Sequence, residues 1–86
     1  MRALVKSDLI GKVIHYYDKI GVAVVGLKKN LKAGQRIKFV RGEDMFEQSV
    51  ESMQFDHVQI SEGKKGQEVA IKVDKKVGSG TLAYLA

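Results

Sequence analysis

The chain reads as short stretches of alternating apolar and polar residues punctuated by glycine. From Ile10 to Tyr17, the residues Ile10, Lys12, Ile14 and Tyr16 share one strand face, and Gly11, Val13, His15 and Tyr17 share the other. Asp18-Lys19-Ile20-Gly21 can turn the chain into Val22-Ala23-Val24-Val25-Gly26-Leu27, whose β-branched content predicts a buried strand. After the polar turn Lys28-Lys29-Asn30, the segment Arg36-Ile37-Lys38-Phe39-Val40 alternates with Ile37 and Phe39 inward. Arg41-Gly42-Glu43-Asp44 supplies another turn. Phe46 to Phe55 then predicts a longer, more polar strand, bent or bulged near Ser52. A helix over Glu47–Phe55 is the competing reading, because Phe46, Val50 and Met53 lie at helical spacings. Gln48, Ser49 and Ser52 weigh against it, as does the lack of an N-terminal capping box.

Val58 to Ile60 predicts a short strand, Glu68 to Val73 alternates again, and Thr81 to Leu85 closes the chain. Six or so strands at roughly ten-residue spacing predict an all-β fold, a small closed six-stranded Greek-key-like barrel. Closure removes the strand edges that would otherwise need protection. No linker, repeat or low-complexity stretch divides the sequence, so residues 1–86 are expected to form a single domain with its barrel core over about residues 8–85.

Composition sets bounds on function. A chain of 86 residues buries only roughly 60–65% of its unfolded surface, which leaves little room for both a core and a deep active site. It has no Cys, hence no disulfide and no thiolate chemistry, and this suits a reducing, cytoplasmic setting. No apolar run could span a bilayer, and Met1-Arg2-Ala3-Leu4-Val5-Lys6 lacks the apolar stretch of a signal peptide.

The net charge of +5 is unevenly spread. Residues 1–42 carry ten Lys or Arg against Asp8 and Asp18, residues 43–63 carry six acids and no Lys or Arg, and residues 64–86 carry five Lys against two acids. Such asymmetry can steer an anionic partner to one side of a fold. Lys28, Lys29, Lys32, Arg36, Lys38 and Arg41 lie on one strand and its flanking loops, which predicts one positive patch. Tyr17 is the outward aromatic on which a base could stack. The plainer alternative is a solubilising charge excess and a Tyr that covers a cross-strand neighbour.

The chemistry-bearing candidates are thin. His15 and His57 are the only histidines, and Asp56-His57 is a weak hint of a metal ligand set. Asp56 and His57 with Ser49, Ser52 or Ser61 lack the nucleophile elbow of a hydrolase triad. Gly78-Ser79-Gly80-Thr81 and Gly63-Lys64-Lys65-Gly66 look like phosphate loops but do not join a strand to a helix, so turn chemistry explains them better. No GxxxxGK[ST] motif occurs, so no nucleoside triphosphate is expected. No metal and no cofactor are expected either.

The order of several elements resembles the second domain of elongation factor Tu and related translational GTPases. Ile10-Gly11-Lys12-Val13, Ile20-Gly21-Val22-Ala23-Val24, Leu31-Lys32-Ala33-Gly34-Gln35-Arg36-Ile37, Glu62 to Ile71 and Gly80-Thr81-Leu82-Ala83 carry the likeness over residues 10–85. Gly34 and Gly66 stand ahead of strands, where tight turns need positive φ. The sequence is similar as well to the C-terminal accessory barrel of collagenase-like bacterial peptidases, through Glu51-Ser52-Met53-Gln54 followed by Asp56-His57. Gln54 and Glu68 replace the glutamate and asparagine of the elongation factor's aminoacyl-tRNA pocket, so that pocket is not expected here. The resemblance implies a non-catalytic binding module that contacts RNA or the ribosome through its basic face. The alternative is a protein–protein accessory domain that docks to an enzyme such as a collagenase-like peptidase.

Overall fold

A computed structural model describes residues 9–86. Residue 8, taken as the start of the core, and the Met1–Lys6 segment lie outside them. Ten strands follow in chain order: β1 (Leu9–Tyr17), β2 (Val22–Leu27), β3 (Leu31–Lys32), β4 (Arg36–Arg41), β5 (Asp44–Ser49), β6 (Met53–Phe55), β7 (Val58–Gln59), β8 (Glu62–Gly63), β9 (Glu68–Lys72) and β10 (Leu82–Leu85). Among the described residues there is no helix, and so none long and apolar enough to cross a membrane. The Glu47–Phe55 segment is accordingly extended. It breaks at Val50–Ser52, where Val50 turns into the core and exchanges backbone hydrogen bonds with Gln35 and Gly34.

Eight strands form one antiparallel sheet in the order β5-β4-β10-β1-β2-β9-β6-β7, and β3 pairs with β8 in a separate ribbon. The ladders leave β5 and β7 at opposite margins, so the sheet is not closed into the six-stranded barrel that the strand spacing suggests. A side chain does part of that work. Gln48 on β5 is buried at 4% exposure; its Nε2 donates to the carbonyl of Lys72 at 2.8 Å and its Oε1 accepts from the amide of Asp74 at 2.8 Å. The amide thus joins β5 to the end of β9 across a gap that no backbone ladder spans.

The core collects the inward positions of the alternating strands: Ala23, Val25 and Leu27 of β2, Ile37 and Phe39 of β4, and Val69 and Ile71 of β9, with Leu31, Val50 and Met53. Burying one large side chain of this kind contributes roughly 1.5–3 kcal/mol. An exposed ion pair contributes about 0.2–1 kcal/mol, so apolar burial decides the fold.

β1 departs from simple alternation. Its register shifts between Leu9 and Gly11 against β10, and between Val13 and His15 against β2. Each extra residue resets the phase of the strand. Ile10, Val13 and Tyr16 therefore face the core, while Ile14, expected on the same face as Ile10, is exposed. Gly11 lies against β2 so closely that a Cβ would collide with the Gly26 carbonyl and stand 2.9 Å from Val25 Cγ1. Gly34 and Gly66 adopt φ of 93° and 92°, the left-handed turns their placement calls for.

Candidate functional site

The β1-β2-β9-β6 part of the sheet sends one set of side chains into the core and leaves the other set on its outer face. On that face Val24 pairs with Ala70, and Ala70 with Gln54, in a row across three strands. Val22 stands beside Tyr17 at the end of β1. Tyr17 is half exposed, with the His15 ring edge-on to it at 4.3 Å between centroids. Ile20, in the turn between β1 and β2, is 64% exposed.

Tyr17, Ile20, Val22, Val24 and Ala70 line an open groove of about 460 Å³, rimmed by Gln54, Asp56, His57 and Glu68. Asp56 and His57 form the two-residue turn between β6 and β7, with φ of 54° and 65°. Two consecutive left-handed residues are what a two-residue hairpin needs to match strand twist, and Asp and His tolerate that region better than most side chains. The turn thereby holds a carboxylate and an imidazole at the rim of an apolar floor.

A second groove, of about 320 Å³, lies between the β4–β5 hairpin and the connection from β9 to β10. Phe39, Phe46 and Val77 supply its apolar wall, with Phe46 tilted against Phe39 at 5.2 Å between centroids. Arg41, Lys75 and Lys76 bring three cations to it, against Asp44 as the single carboxylate. Lys75 Nζ stands 5.7 Å from the Phe46 ring centroid.

The basic residues expected to form one patch are divided. Arg36 Nε meets Glu47 Oε1 at 3.2 Å, and Lys38 Nζ meets Glu47 Oε2 at 3.7 Å, because β4 pairs directly with the acidic β5. Lys32 faces Glu62 across the β3–β8 ribbon. Glu62 also binds Lys64 at 3.0 Å, and that hydrogen bond, with the charges of Lys64 and Lys32, holds its carboxyl below the usual carboxylate range. Arg41 belongs to the smaller groove. Lys28 and Lys29 follow β2, their amides bonded to the carbonyl of Ile10. Tyr17 lies seven residues further along β1, roughly 20 Å away at strand rise. Tyr17 thus stands at the opposite end of β1 from Lys28 and Lys29.

The remaining candidates stay apart. Among the described residues no three His, Asp or Glu side chains converge on a metal-sized site. No hydrogen bond there links His57 to Ser49, Ser52 or Ser61.

No family model matches the chain. It does match a solved structure, the C-terminal domain of a protein of Geobacillus thermoleovorans assigned as a U32 peptidase, with a TM-score of 0.87 covering 99% of both chains at 18% identity. The chain has the fold of that domain. The selenomethionine variant of the same domain matches with a TM-score of 0.84 at 20% identity, over 88% of this chain and 96% of that one. An uncharacterized protease of Methanocaldococcus jannaschii is 35% identical over 77 residues, which is 88% of this chain. The chain spans about a fifth of that relative's length, 19%.

These likenesses correct the translational reading. They point to peptidase C-terminal domains rather than to elongation-factor domains, so RNA or ribosome binding has no support among them. The structure supplies a physical reason in the Glu47 ion pairs and the divided basic set. The larger groove was not anticipated from the sequence. Its available signal was Ile20, an apolar β-branched residue in an otherwise polar turn.

Proposed function

We propose that this chain is a non-catalytic accessory domain that docks against a protein partner, the peptidase domain of a U32-type protein. The reading treats residues 1–86 as one binding domain. Its main support is the full-length match to a domain that sits at the C-terminal end of such a protein. The outer face of β2-β9-β6 suits the docking: Tyr17, Ile20, Val22, Val24 and Ala70 form an apolar floor, and the polar groups stand at the rim. An apolar centre ringed by polar groups is the usual anatomy of a protein–protein interface. Tyr17 at its edge supplies a rigid amphipathic anchor of the type that carries binding energy.

The test is a calorimetric titration of the domain into the Methanocaldococcus protease from which the matching 77 residues have been removed. The reading expects a one-to-one complex that Ile20→Lys weakens at least tenfold, because a charge would enter the apolar centre (about 1.4 kcal/mol per tenfold). Absence of binding, or equal binding by the variant, contradicts it.

A further inference from the structure

We propose that the smaller groove, between the β4–β5 hairpin and the β9–β10 connection, is a separate binding site for an acidic peptide segment with apolar side chains. It stands apart from the docking face, with which it shares no lining residue. The lining is charged on one side and apolar on the other: Arg41, Lys75 and Lys76 against a single carboxylate, over Phe39, Phe46 and Val77. Three cations around one anion call for an anionic occupant, and two aromatic rings call for an apolar one. A glutamate-bearing peptide meets both demands, because a guanidinium can bind a carboxylate through two parallel N–H donors.

The Arg41 guanidinium lies directly over Gly78, where a Cβ would meet the end of this flexible, exposed side chain and push it aside. Gly78 is not in the left-handed region, so backbone conformation does not require glycine there. The missing side chain is what lets the Arg41 head lie against the groove. Thr81, 3% exposed, forms part of the wall, and its Oγ1 has no hydrogen-bond partner among the described residues.

A nucleic-acid strand fits less well. Glu43 and Asp44 occupy the same hairpin as Arg41, and Glu47 follows on β5, so a run of phosphates would meet carboxylates on leaving the cations.

Fluorescence anisotropy on the 86-residue chain tests the assignment with three labelled probes: a short peptide alternating glutamate and leucine, its lysine-for-glutamate counterpart, and an oligouridylate. The glutamate peptide should bind, with affinity falling as salt is raised, and the lysine peptide should not. Arg41→Gln should weaken binding about fivefold, the loss expected for one partly exposed ion pair. Gly78→Ala should weaken it as well while keeping every charge, since its Cβ displaces the guanidinium. Thermal melts establish that each variant is folded, and Arg41→Gln carries the test alone if Gly78→Ala is not. No binding of the glutamate peptide, or equal binding by wild type and Arg41→Gln, overturns the proposal. Tighter binding of oligouridylate that the same variants abolish also overturns it, in favour of a phosphate groove.

Discussion

The β1-β2-β9 part of the sheet and the margin where β5 approaches β9 are held in different ways. In the first, every strand has ladder partners on both sides, and the backbone satisfies itself. Outward side chains there form the larger groove. In the second the ladder stops, and one buried amide, Gln48, bonds a carbonyl and an N–H that would otherwise have no partner. Where the ladder continues, side chains are available to a partner molecule. Where it stops, a side chain is committed to the fold.

The sharpest way to break that contrast is Gln48→Leu. It keeps the volume roughly constant but strands the Lys72 carbonyl and the Asp74 amide, so it should cost about 3 kcal/mol in urea denaturation. A neutral result would mean that the margin is held by packing alone. Gly11→Ala probes the laddered region, where a Cβ must push β1 away from the Gly26 carbonyl. Its expected cost is about 2 kcal/mol by the same measurement, within the usual range for overpacking. Thr81→Val replaces a buried hydroxyl that lacks a partner, and should raise stability by about 1 kcal/mol.

The smallest effect belongs to the exposed ribbon. Glu62 has its carboxyl lowered by Lys64 and Lys32, so its contribution is complete above the unfolded carboxyl's pKa and is lost as pH falls through the lower folded value. Glu62→Gln should lower stability slightly at neutral pH and converge on the wild type in melts taken below the folded carboxyl's pKa, so that its acid limb is shallower.

Much of the fold was legible in the sequence, and the reason lies in phase. β4 and β9 alternate without interruption, and Ile37, Phe39, Val69 and Ile71 face inward as their spacing predicts. β2, read as a buried strand throughout, buries Ala23, Val25 and Leu27 and keeps Val22 and Val24 partly exposed. β1 was misread at Val13 and Ile14 because each of its two bulges adds a residue without leaving a mark in the apolar pattern. Gln48 did leave a mark, as a polar residue in phase with Phe46 on a strand whose inner face is buried. Its partners, Lys72 and Asp74, are too distant in sequence for local periodicity to identify. The basic set was readable as charges but not as a surface, since only the pairing of β4 with β5 brings Glu47 between Arg36 and Lys38. The grooves depend on long-range pairing too, which joins Tyr17 and Ile20 to Ala70 and His57.

Hydrogen–deuterium exchange on the domain, alone and mixed with the truncated protease, tests the docking claim most directly. The account predicts protection on binding over residues 17–24, 54–57 and 68–70, which carry the outer-face groove, and unchanged exchange over 41–46 and 75–78. Protection confined to 41–46 and 75–78, with 17–24 unaltered, would contradict it.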